Sequence, residues 1–226
     1  MSSDGGAEEN RLRAILVNMA MFLFLAFLAF PSAAEDPDTW LVAKSSGTVL
    51  LLGDDGSSRA LAAGDRLEAG ARIRTMSGGR AVLARGEDVI TMSPGTDIAI
   101  PDPQPGFGTR VIQAFGRAFY EITKGAAPHF EVDSPLLAAV VKGTKFEVSS
   151  DAAAGDAVRV LEGRVEVRNL RDGRSAPVNA GQVGRVRSAA SSGVEVEEQT
   201  TDSGGNGNTH GSGAGPRGNG NGGGEP

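Results

Sequence analysis

Phe130-Glu131-Val132-Asp133-Ser134-Pro135, followed by Ala139-Val140-Val141-Lys142-Gly143-Thr144-Lys145-Phe146-Glu147-Val148, is the stretch on which the fold turns. Apolar residues take every second position in Phe130 and Val132 and again in Phe146 and Val148, the period of a strand with one buried side. These four side chains are expected to occupy one sheet face. Pro135 has no N–H to give to a ladder and marks a strand end or edge. Gly143, between Lys142 and Thr144, fits a positive φ or a backbone approach too close for a β-carbon.

Short strands and turns continue on both sides. Thr48–Leu52 and Ser58–Leu61 flank Asp54-Asp55-Gly56, and Val82–Ala84 and Val89–Met92 flank Arg85-Gly86-Glu87-Asp88, so each set reads as a hairpin. Val165 and Val167 alternate with Arg164, Glu166 and Arg168 before a turn at Asp172-Gly173. Glu162-Gly163 reads either as a two-residue hairpin turn or as a glycine bulge in a bent strand. No long stretch of period 3.6 follows residue 35, and the chain has 11 prolines, which discourage helix. The expected fold is all-β: a two-sheet sandwich or short β-solenoid over 35–200, with the core motif region at 40–190.

The two ends read differently. Arg11 and Arg13, the apolar run Ala14–Phe30 and the small residues of Pro31-Ser32-Ala33-Ala34 make 1–34 a secretory signal helix, cut after Ala34. The other reading is a retained membrane anchor, and both place residues 35 onward outside the cytoplasm, in the periplasm or at the cell surface. Residues 201–226 are Gly- and Asn-rich, with almost nothing apolar from Ser203 on, and are expected to be a disordered tail, read as a tether. Gly213, Gly215 and Gly218 satisfy GxGxxG only by composition, because neither strand nor helix surrounds them.

Bulk chemistry removes several function classes. The formal charge is -6, so no positive field draws the chain to nucleic acid. There is no cysteine, which excludes disulfides, thiolate metal sites, a Cys nucleophile and lipid acylation of a cysteine. Aromatic residues make up only 5%, so the core is expected to be Val, Leu, Ile and Ala. GxSxG, a Gly-Lys P-loop, HExxH and Ser-x-x-Lys do not occur. The reading is a non-enzyme without cofactor or metal.

The opening stretch resembles the hallmark of FecR domains: F-x-V-x-T/S-P, a short apolar strand, then R/K-G-T-x-F-x-V. Val160-Leu161-Glu162-Gly163-Arg164-Val165-Glu166-Val167 is similar to the family's V-x-E-G-x-V-x-V, and Asn179-Ala180-Gly181-Gln182 to the "aGq" after it. Upstream, Gly64–Thr75 fits the G-x-x-L-x-x-G-x-x-I-x-T that opens the domain. On this resemblance Phe130, Val132, Pro135, Gly143, Thr144, Phe146, Val148, Glu162, Gly163 and Gly181 are scaffold. In the best-known members a cytoplasmic segment contacts a sigma factor and a C-terminal module contacts a receptor. Only about a dozen polar residues precede the apolar run here and only tail follows residue 200, so the sigma-factor mechanism is not expected.

Two sets of surface candidates remain. His129, Glu131 and Asp133 alternate on one strand face, where imidazole and carboxylates suit a divalent cation, or else form a solvent-facing polar side. Arg72 and Arg74 flank Ile73, within a wider set of Arg66, Arg80 and Arg85. They suit acidic polymers or lipid headgroups, or are a solvated face balanced by acids. Trp40 and Tyr120 suit an interface or the core. The expected function is an envelope binding or sensing module that engages another envelope protein in signalling. The alternative is a structural or adhesive module on glycan or cell wall. Membrane contact would come only through an uncleaved N-terminal segment.

Overall fold

The computed structural model describes residues 39–103, 108–188 and 190–199, and the leader and tail readings lie outside them. The chain weaves between two layers, A and B. β1 (Trp40–Ser46) lies in A, β2 (Val49–Leu52) and β3 (Ser58–Ala60) in B, β4 (Arg66–Leu67) in A and β5 (Arg72–Thr75) in B. β6 (Arg80–Arg85) and β7 (Asp88–Met92) return to A, and β8 (Thr96–Ala99) to B. β9 (Thr109–Glu121) belongs to both. β10 (Phe130–Asp133) and β11 (Leu137–Val141) follow in B, and β12 (Lys145–Asp151) and β13 (Gly155–Glu162) in A. β14 (Arg164–Asn169) and β15 (Ser175–Asn179) close B, and β16 (Gln182–Val186) and β17 (Glu195–Glu198) close A.

Layer A has the order β4-β1-β6-β7-β9-β12-β13-β16-β17, and layer B the order β3-β2-β5-β8-β9-β10-β11-β14-β15. Every pairing is antiparallel except β9 with β10, so the sheet is mixed and open. Its edges are blunted. β4 and β3 are very short, β15 carries Pro177 and β17 carries Glu195, Glu197 and Glu198, all features that discourage pairing with another chain.

The two layers bury their inner faces against each other in one core. A β-carbon on Gly184 of β16 would lie 2.6 Å from Cγ2 of Val178 across the gap, in β15. Tyr120 stacks on Phe146 of layer A at 5.1 Å between ring centroids and meets Phe130 of layer B edge-on at 6.2 Å. Phe130, Val132, Phe146 and Val148 are fully buried, each contributing about 1.5–3 kcal/mol. They do not share one sheet face, as their alternation suggested. Phe130 and Val132 come from layer B and Phe146 and Val148 from layer A, because the chain changes layer between β11 and β12.

Both hairpins read from sequence are present, as β2–β3 and β6–β7, and the chain turns after β14 to pair it with β15. Glu162-Gly163 is neither hairpin turn nor bulge: Gly163 is a bend where the chain leaves β13 in layer A for β14 in layer B. The bulge lies at Leu161, where the β12–β13 register slips. Among the described residues there is no helix, and hence none long and apolar enough to cross a membrane.

Candidate functional site

Gly143, Thr144, Glu162, Gly163 and Gly181 gather at one end of the sandwich, where strands change layer, and the Ser134-Pro135 turn lies at the other. Gly143 has φ +138°, and a β-carbon there would stand 2.4 Å from Lys124 Cα. Thr144 exchanges backbone hydrogen bonds with Ile122 at 3.0 and 3.1 Å. Its methyl would lie 2.8 Å from a β-carbon on Gly163, whose carbonyl accepts from Ala180 N. Gly181 N donates to Val160 O at 3.0 Å. Glu162 stays exposed, facing Lys145 at 3.7 Å. The Ser134-Pro135 turn between β10 and β11 is pinned from layer A by buried Asp156, which accepts from Ser134 Oγ at 2.6 Å and Leu136 N at 2.7 Å.

Beside these corners the layers part to form a cleft of about 480 Å³, within the size range of ligand pockets. Trp40, Arg85 and Asp88 line it from layer A, and Ile100, Arg110 and His129 from the ends of layer B strands. The Arg85 guanidinium lies 4.8 Å over the Trp40 ring and bonds Asp88 at 3.0 Å. Asp88 also accepts Thr123 N, which ties the cleft to the segment running beside Gly143. Trp40 is 2% exposed and its buried Nε1 has no hydrogen-bond partner. Glu68 and Asp102, both exposed, stand on the lining, and no ion pair forms to either among the described residues.

The structure divides the surface candidates. Arg72 and Arg74 converge on Asp97, which is 1% exposed: Arg72 Nε is 2.8 Å from Oδ1 and Arg74 Nε 2.7 Å from Oδ2. They are committed ion-pair partners of a buried acid rather than free cations for acidic polymers or lipid, and Arg74 also lies over Phe115 at 5.4 Å. Arg66, Arg80 and Arg85 are on layer A, so the five arginines form no common patch.

Glu131 and Asp133 point outward from β10, but Asp133 is 93% buried rather than solvent-facing, held beneath Arg110. His129 precedes β10, with Nδ1 3.1 Å from Ala127 O, and lines the cleft instead. Among the described residues no three metal-capable side chains meet. Tyr120 is a core residue, its phenol pushed up by burial and donating to Gln113 Oε1 at 2.8 Å.

The fold is an all-β sandwich, and the residues that carry the resemblance stand at its turns and in its core. Residues 71–166, from the start of β5 into β14, match the family described as FecR protein, and the chain carries a FecR domain. Two crystal structures described as a "putative anti-sigma factor" from Parabacteroides distasonis ATCC 8503 are similar, each with 18% identity and a TM-score of 0.49. The match covers 57% of this chain and 59% of that one, so the chain spans less than two thirds of this neighbour's length. No curated protein matches the chain.

Proposed function

We propose that this protein is a non-enzymatic binding module of the bacterial envelope that engages another envelope protein in signalling through the cleft beside the FecR corners. The FecR domain supports a sensing or signalling module. The apolar run from Ala14 to Phe30 behind Arg11 and Arg13 supports an exported location.

The cleft carries the docking part of the reading. Arg85 is taken by Asp88 and Arg110 by Asp133, which leaves Glu68 and Asp102, beside Ile100, Pro101 and Pro103, as its charges without an ion-pair partner among the described residues. A partner segment with a basic side chain next to apolar ones is complementary to that lining.

A photo-crosslinking residue at Asp102, with a control at Asp151, tests this in the native bacterium. Asp151 lies at the opposite strand end, pairing with Gly155. Capture of a membrane receptor, kinase or cyclase from position 102 and not from 151 is the expected result. Fractionation with cell wall or outer membrane and no crosslinked protein contradicts it.

A further inference from the structure

On the outer face of layer B, Arg110 of β9, Glu131 of β10, Val140 of β11 and Glu166 of β14 stand in one row, and Ile112, Asp133, Ala138 and Arg168 in the next. Asp133 Oδ2 accepts from Arg110 Nε at 2.7 Å and from Arg110 Nη2. Asp133 Oδ1 is buried and has no donor. An orphaned buried acceptor is costly, and a charged one more so. The Glu131 carboxyl stands beside it, two residues back on the same outer face of β10 and 13% exposed. Two ionised carboxylates have no hydrogen between them, so Glu131 can satisfy Oδ1 only if it carries a proton.

We propose that Glu131 and Asp133 hold one proton between them, making this face of layer B a proton-dependent switch. The surroundings fit a neutral Glu131. Its side chain is 13% exposed, and Arg168 stands off at 3.9 Å. Arg110 is already engaged by Asp133, Glu166 adds a like charge across Val140, and Ala138 and Val140 supply no donor from β11. Burial first, and then the bond to and charge of Asp133, hold the Glu131 carboxyl above its ordinary range, against the opposing pull of Arg168 and Arg110.

The sign follows from that direction. A carboxyl raised in the folded state stabilises the fold below its unfolded value, and the contribution is lost as pH rises through the folded value. Arg110 also lines the cleft, so the proton bears on one wall of it. That consequence rests on the docking proposal, whereas the switch itself does not.

The experiment compares melting temperatures of the full chain and its E131Q variant across about pH 4 to pH 8. Glutamine keeps the shape of a protonated glutamate and donates to Asp133 Oδ1 at every pH. The variant should match the parent at the acid end and exceed it by roughly 2 to 4 °C at the alkaline end. A difference independent of pH, or a parent more stable at the alkaline end, overturns the switch. Carbon-13 titration of the Glu131 carboxyl in the parent gives the same answer should the variant fail to fold. A midpoint above the ordinary carboxylate range supports the shared proton, and one at or below that range overturns it.

Discussion

Valine at position 143 would meet the backbone of Lys124 in a conformation that L side chains rarely adopt. Gly143→Val should therefore cost about 3 kcal/mol or more, read as a lost or strongly depressed thermal transition. Arg74→Ala should cost about 1 kcal/mol or less, because Arg72 continues to hold Asp97 and the lost arginine is 35% exposed. Asp156→Ala should cost about 2 kcal/mol in chemical denaturation, since it frees two donors on the Ser134-Pro135 turn at once. Gly143 was legible in sequence because a glycine among Lys142, Thr144 and the flanking strands has few other uses. Asp97 and Asp156 were not: their partners lie 20 to 25 residues away, and no local spacing reports a pairing made across strands and layers.

β9 is the element that joins the layers. Its first half pairs with β8 and β10 and its second with β7 and β12, and it bends at Gly116, where φ is +91° and a β-carbon would lie 2.4 Å from Gly95 O. Tyr120 and Gln113 bond across that bend, and Gln113 Nε2 also donates to Gly116 O and Val148 O. Tyr120→Phe should cost about 1 to 2 kcal/mol by orphaning Gln113 Oε1 without changing the far-ultraviolet spectrum. Period-two alternation made the hairpins and the buried residues of β10 and β12 readable. It says nothing of which layer a strand joins, which is why alternation alone puts Phe130 and Phe146 on one face and makes Gly163 a turn or bulge. Changes of layer depend on how far the sheet twists and where the chain can cross the core, and both are set by neighbours distant in sequence.

For the whole molecule, two layers sharing one strand place Gly143, Thr144, Gly163 and Gly181 and the cleft at the same end while giving them different tasks. The corner residues hold the changes of layer, and the cleft offers exposed acids and proline walls to a partner. The cleft was not visible in the sequence, because its lining comes from several separated stretches that share no motif. From sequence Trp40 reads as an interface or core residue, Arg85 as one of a set of surface arginines and His129 as a metal candidate, and no spacing brings the three together. The central claim is that partner recognition belongs to the cleft and stability to the corners. The most direct test is partner recovery by the Glu68→Arg, Asp102→Arg double variant after crosslinking in cells. Recovery should fall at least tenfold while the melting temperature stays within about 2 °C of the parent, as expected for exposed positions. Recovery equal to the parent's, from a variant folded to the same degree, would contradict it.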